Sequence, residues 1–182
     1  LSRQMMAFDT SRSYSSLSKI FHLIFIFLFL PQLTGGFLLS KIPKSLKASA
    51  YMTHKAMGVL LLWLFLARIM NVFIQTRRPQ IIATQALNKA VRLVIYLLYT
   101  AMLIMPISGW IMSSIAKKAP YIPFIGYWNF PVPRWKWLGG LMHEIHHIFA
   151  YIAAAVVLLH IANFLYLHYI KKFRVSDRMF KF

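Results

Sequence analysis

The stretch HEIHHIFAYIAAAVVLLH, residues 143–160, decides the fold, because it sets four histidines and Glu144 into an otherwise apolar run. About 20 apolar residues suffice to cross the roughly 30 Å of hydrocarbon in a bilayer, and this run continues to Ile170. Ionisable groups inside a membrane are costly and usually serve a function. The stretch therefore predicts a membrane-spanning helix whose histidine side chains bind a ligand.

The composition of the whole chain agrees with a membrane protein. Of its 182 residues, 59% are hydrophobic and 16% aromatic, and the mean hydropathy is +0.61. The 21 Lys and Arg residues outnumber three Asp and Glu, but they are dispersed between long apolar runs, so we expect no nucleic-acid partner. The chain has no cysteine, which excludes disulfides, iron–sulfur clusters and thiolate metal sites. A bound metal would therefore have histidine ligands.

Four apolar segments are long enough to span a bilayer. They cover about residues 14–39, 48–74, 87–115 and 138–170. A loop rich in proline, tryptophan and tyrosine joins the third segment to the fourth and suits a membrane interface. The sequence predicts an all-α fold, an integral membrane bundle of four transmembrane helices. This domain covers residues 14–173, between a polar N-terminal segment (1–13) and a basic C-terminal tail (174–182).

Four spans put both termini on one side of the membrane, and the basic residues predict which side. Thirteen of the 21 Lys and Arg fall on the side of the termini and eight on the other. The eight are Lys41, Lys44, Lys47, Lys55, Lys117, Lys118, Arg134 and Lys136. By the positive-inside rule, we expect both termini in the cytoplasm.

The histidines separate into two depths. His146 and His160 are 14 residues apart, which is about 40° short of four helical turns. They therefore share one face of the fourth helix, about 21 Å apart along its axis. His22, early in the first span, lies at the inner depth of His160, and His54, early in the second, lies at the outer depth of His146. His147 is rotated by about 140° from His160 and is a rival to His146 as the outer ligand.

At each depth, two imidazoles from different helices are positioned to ligate one metal centre between them. Haem iron with two axial histidines fits this arrangement, because the porphyrin fills the space between helices. Zinc and copper are disfavoured, since each depth offers two ligands where a structural site uses about four. The alternative is that the histidines only form hydrogen bonds between helices.

Four motifs resemble those of the bacterial cytochrome b561 family. They are KIFHLIF (19–25), MTHKAMG (52–58), YLLYTAMLIMPISGWIMSS (96–114) and LMHEIHHIFAYIAAAVVLLHIA (141–162). The resemblance covers residues 14–173 and implies a multi-pass cytochrome of the bacterial inner membrane with two b haems. It implies iron ligation of the inner haem by His22 and His160. The outer haem would be ligated by His54 and His146.

Three cationic residues are candidates for contact with haem propionates. Arg68 and Arg92 fall near the expected inner haem, where a guanidinium can form two hydrogen bonds with a carboxylate and raise the haem potential. Snorkelling to the lipid surface is the alternative for both. Lys55 follows the outer ligand directly and is predicted to reach an outer propionate.

The resemblance also implies a function, electron exchange with the ubiquinone pool. Some family members take electrons from superoxide at the outer face, and a basic outer face would collect such an anion. His168, near the end of the fourth helix, is a candidate for a quinone pocket, and no residue is assigned a catalytic role. Two alternatives stay open: the membrane anchor and quinone-reducing cytochrome of a larger dehydrogenase with a soluble subunit, and a haem-binding scaffold or sensor without turnover.

Overall fold

The structure of the chain, a computed structural model, describes residues 14–75, 85–173 and 177. The predicted N-terminal segment 1–13 lies outside the described residues, as does the predicted C-terminal tail 174–182 apart from Asp177.

Four long helices make up the fold: α1 (Ser16–Leu38), α2 (Lys44–Ile74), α3 (Gln85–Ile115) and α4 (Lys136–Leu165). A 3₁₀ turn (Leu39–Lys41) follows α1, and a π-helical turn (Tyr166–Ile170) extends α4. All four helices are long and apolar enough to cross a membrane. The predicted all-α bundle of four transmembrane helices is therefore confirmed.

A short hairpin joins α3 to α4. Its strands β1 (Tyr121–Ile122) and β2 (Gly126–Tyr127) pair antiparallel. Two contacts fix the following segment: the indole Nε1 of Trp110 donates to the Trp128 carbonyl at 2.7 Å, and the Phe130 amide donates to Ser114 Oγ at 2.8 Å. We call this side of the bundle the hairpin end, and the side where α1 begins and α4 finishes the far end.

The helices pack unevenly, and the unevenness leaves room inside the bundle. α4 packs along the length of α3, and α2 packs on both α1 and α3. Contacts of α4 with α1 and α2 are sparse by comparison. A space therefore remains between α4 on one side and α1 and α2 on the other, and the histidines of these three helices face it.

A tight layer of small and apolar residues separates the two histidine depths. Ala101 of α3 and Ala153 of α4 are fully buried, and Leu33 of α1 packs against them. Ala153 lies seven residues from His146 and seven from His160, about 10 Å along the helix from each. This packed layer lies between the depths of the two histidine pairs.

A polar network ties α1 to α2 at the far end. Ser15 caps α1, because its Oγ accepts a hydrogen bond from the Ser18 amide at 3.2 Å. Asn71 Nδ2 donates to Ser18 Oγ at 3.1 Å, and Gln75 Nε2 donates to Asn71 Oδ1 at the same distance. These bonds fix the depth of α1, and with it the depth of His22, relative to α2.

Candidate haem-binding sites

At the hairpin end, α2 and α4 bring His54 and His146 face to face. Their ring centres are 6.4 Å apart and their planes are nearly perpendicular, at 87°. Both rings are partly buried and line one cavity of about 470 Å³. A cavity of this size falls within the range of small-molecule and cofactor sites.

Helix α3 orients the imidazole of His146. Nδ1 lies 2.8 Å from the carbonyl oxygen of Met105 and 3.3 Å from Ser108 Oγ. A carbonyl only accepts hydrogen bonds, so Nδ1 carries the proton and Nε2 keeps its lone pair. A backbone carbonyl that fixes the tautomer of a histidine in this way is typical of metal-bound imidazoles.

Two glycines make room for the rings at this end. A β-carbon on Gly109 of α3 would lie 3.0 Å from Cε1 of His146, and one on Gly36 of α1 would lie 3.0 Å from Cε1 of His54. In addition, Gln32 Nε2 donates to the backbone carbonyl of His54 at 2.6 Å and holds α1 against α2. Any larger residue at these two glycines would push a ring into the cavity.

At the far end, α1 and α4 bring His22 and His160 together in the same manner. The ring centres are 6.3 Å apart and the planes meet at 67°. The guanidinium of Arg68, on α2, lies over the ring of Phe25, which follows His22 by less than one turn of α1. The four histidines thus form two interhelical pairs, the pairs that helical periodicity and depth predict.

The ring spacing distinguishes a bound metal from a direct hydrogen bond. Two nitrogens in a hydrogen bond are about 3 Å apart, which would set the ring centres at roughly 5 Å. Two metal–nitrogen bonds of about 2 Å each would set them at roughly 6 Å. The distances of 6.3 and 6.4 Å between the ring centres are longer than a direct hydrogen bond would give and leave room for an ion between the rings.

The number of ligands favours haem iron over zinc. Across the described parts of the chain, no group of three or more His, Cys, Asp or Glu residues could hold a metal ion. Each depth offers two imidazoles, which suits axial ligation of haem and leaves a zinc site incomplete. The residues present therefore fit b-type haem.

The cationic candidates have three different surroundings. Arg68 is partly buried over the ring of Phe25, less than one turn from His22. Lys55 lies on the wall of the hairpin-end cavity. Its Nζ donates a hydrogen bond to the carbonyl of Lys118 at 2.8 Å and so links α2 to the segment that follows α3. Arg92 is exposed and its Nε donates to the carbonyl of Asn88 on its own helix at 3.3 Å.

Arg92, in contrast, lies apart from the far-end histidine pair. It lies seven residues before Tyr99, the α3 residue that contacts Arg68, and so about 10 Å nearer the start of α3. At that depth its side chain reaches the surface and bonds its own backbone. Of the two predicted arginines, Arg68 alone lies beside the histidines.

The remaining histidines lie outside the two pairs. His147 is exposed, stacks on His143 at 6.3 Å and contacts the ring of Tyr151 at 5.1 Å. Its ring lines the same cavity, but among the described histidines only His146 has the hydrogen bond to the Met105 carbonyl. His168 stacks on Phe164 in the π-helical turn at the far end.

Sequence reasoning missed the residues that support the histidines. Ser108 and Gly109 belong to the segment MPISGW, whose run of small residues after a proline could have indicated close approach of another group. The carbonyl of Met105 could not be found in this way, because a backbone acceptor has no sequence signature. Tyr99 was missed because one tyrosine among apolar residues resembles an interface residue.

A family model described as prokaryotic cytochrome b561 matches residues 13–182, nearly the whole chain. Among curated proteins, none matches the sequence. The chain is therefore a multi-pass bacterial membrane protein that binds haem b and transfers electrons, and it belongs to the prokaryotic cytochrome b561 family.

Proposed function

We propose that the chain holds two b haems, one in each histidine pair, and carries single electrons between the two ends of the bundle. The observation that supports this most directly is the equal spacing of the two pairs, 6.4 Å at the hairpin end and 6.3 Å at the far end. Bound haem supplies reversible one-electron redox chemistry.

The chain's own residues set the conditions for that chemistry. Met105 and Ser108 hold the His146 ring in one orientation, and Gly36 and Gly109 give both hairpin-end rings their space. Between the two depths, Leu33, Ala101 and Ala153 pack against one another. These features keep the ligands rigid, which limits the reorganisation that accompanies each electron transfer.

We further propose that the hairpin end faces the outside of the inner membrane and receives electrons from superoxide. The eight basic residues at this end outnumber the single carboxylate, Glu144, and six of the eight are exposed. A positive field over a redox centre raises the encounter rate with a small anion. Superoxide would give up one electron and leave as dioxygen. Ubiquinone would accept two such electrons and two protons at the far end.

Stopped-flow reduction of the oxidised protein by superoxide tests this proposal. Electrostatic steering predicts that the rate falls about tenfold or more as salt rises from 0.1 M to 1 M, because the Debye length shrinks from about 10 Å to about 3 Å. The double variant Lys117→Gln/Lys118→Gln should be reduced more slowly at 0.1 M salt and show a weaker salt dependence, because two of the eight charges are gone. The matched control, Lys171→Gln/Lys172→Gln at the far end, should keep it. Slow reduction that does not respond to salt would exclude superoxide as the donor.

A further inference from the structure

The guanidinium of Arg68 occupies a fixed position between α1 and α3. It lies over the ring of Phe25 at 5.7 Å and over the ring of Tyr99 at 5.8 Å. Its Nε also donates a hydrogen bond to the Tyr99 hydroxyl at 3.3 Å. Two aromatic faces and one hydrogen bond leave the group little freedom to turn.

One end of this guanidinium has no partner from the described residues. Nη1 is buried and makes no hydrogen bond there. A buried cation without an anion is unstable in an apolar surrounding. The chain has only three acidic residues, Asp9, Glu144 and Asp177, and among the described residues no carboxylate contacts Arg68. A bound molecule with an anionic group would supply the missing partner.

The position of Arg68 identifies that molecule. Phe25, whose ring lies under the guanidinium, follows His22 by three residues, less than one helical turn, so an anion at Nη1 would lie beside the far-end pair. The cofactor that fits the pair is b-type haem, whose propionates are carboxylates, and a guanidinium is the side chain best matched to a carboxylate.

We propose that Nη1 of Arg68 binds a propionate of the far-end cofactor and that Tyr99 is the residue that positions Arg68 for this contact. The inference rests on the proposed function, since it requires a haem between His22 and His160. Tyr99 acts through Arg68, by holding Nε with its hydroxyl while its ring supports the planar face of the guanidinium.

The test uses redox titration of the haem-loaded protein in three variants, Arg68→Gln, Arg68→Lys and Tyr99→Phe. Removal of the cation should favour the oxidised, more positive haem. For Arg68→Gln we expect the oxidised-to-reduced ratio of the far-end haem to rise at least tenfold at a fixed potential. For a one-electron couple this equals a midpoint lower by about 59 mV. Arg68→Lys should lower the midpoint potential less, because lysine keeps the positive charge but lacks the planar guanidinium that can form two hydrogen bonds with a carboxylate.

Tyr99→Phe should shift the same haem in the same direction by a smaller factor. In a double variant with Arg68→Gln it should add nothing, because a positioning residue has no effect once the residue it positions is gone. The matched controls are Arg92→Gln and Tyr96→Phe, exposed residues of α3 that should change the ratio less than twofold.

A second readout reports the contact itself. Transfer of ferric haem from the protein to apomyoglobin should be several times faster for Arg68→Gln than for Arg92→Gln, because a propionate contact retains the cofactor. Equal transfer rates and equal potentials in these two variants would overturn the propionate contact. An undiminished Tyr99→Phe shift in the Arg68→Gln background would overturn the positioning role.

The same measurements separate this inference from the proposed function. The far-end haem is identified as the spectral component that His22→Ala removes. If His22→Ala retains every haem that the unaltered chain binds, the proposed function fails. If His22→Ala removes one haem while Arg68→Gln leaves both potentials unchanged, the inference about Arg68 fails alone.

Discussion

At the scale of single residues, two adjacent glycines give a sharp test of how the hairpin-end pair is built. Gly36→Val should displace the His54 ring, because a β-carbon there already lies 3.0 Å from Cε1. Overpacking of this kind costs about 1–3 kcal/mol, so haem affinity at the hairpin end should fall by about tenfold or more. Gly35→Val is the control, since a β-carbon on Gly35 would have no neighbouring atom within 4 Å. Equal haem content in both variants would contradict the account.

A second residue-scale prediction concerns the choice between two adjacent histidines. His147→Ala should retain both haems, because its exposed ring stacks on His143 and has no contact with Met105. The measurement is the haem-to-protein ratio by pyridine haemochrome. Loss of one haem in this variant would transfer the ligand role from His146 to His147.

The pairing of the histidines could be predicted from the sequence. The residues that orient the rings and make room for them could not. A separation of 14 residues puts His146 and His160 on one face, because it is close to four whole turns. The spans also set the depths of His22 and His54. The tautomer of His146 and the clearance at Gly109 depend on where α3 packs, and that information lies in the side-chain packing of two helices rather than in local periodicity.

At the scale of elements, the segment after the hairpin should stabilise the α2–α3 pair. Trp110→Phe removes the hydrogen bond to the Trp128 carbonyl and leaves that acceptor unpaired. We expect a loss of about 1–3 kcal/mol in stability, measured as a lower midpoint of thermal unfolding in detergent. Trp137→Phe, an exposed residue at the start of α4, is the control. Equal midpoints for the two variants would show that this bond contributes nothing.

The apolar pattern of the sequence predicts the helices but not where they begin, nor the short strands between them. The predicted second span begins at about residue 48, whereas α2 begins at Lys44, because the helix continues past its apolar part with Lys44 and Lys47 on its first turn. The hairpin was not predicted at all, since its two-residue strands are too short for an alternating pattern. The loop is held by Trp110 and Ser114, which a sequence pattern does not link to it.

At the scale of the whole molecule, the orientation of the bundle can be tested because the chain has no cysteine. Asn129 is exposed at the hairpin end and Lys171 is exposed at the far end, so each can be replaced by cysteine in turn. In spheroplasts, which keep an intact inner membrane, a membrane-impermeant maleimide should label Asn129→Cys and not Lys171→Cys. The reason is the charge count of thirteen basic residues against eight. The reverse labelling would put the basic hairpin end in the cytoplasm and remove the basis for superoxide capture.

The central claim is that two separate histidine pairs hold two haems, and low-temperature spectra of four single variants test it most directly. The measurement is the reduced spectrum, with the haem-to-protein ratio, of His22→Ala, His160→Ala, His54→Ala and His146→Ala. We predict about one haem per chain in each variant, with the first two lacking one spectral component and the last two lacking the other. Retention of two haems in His146→Ala, or loss of different components in His22→Ala and His160→Ala, would contradict the account.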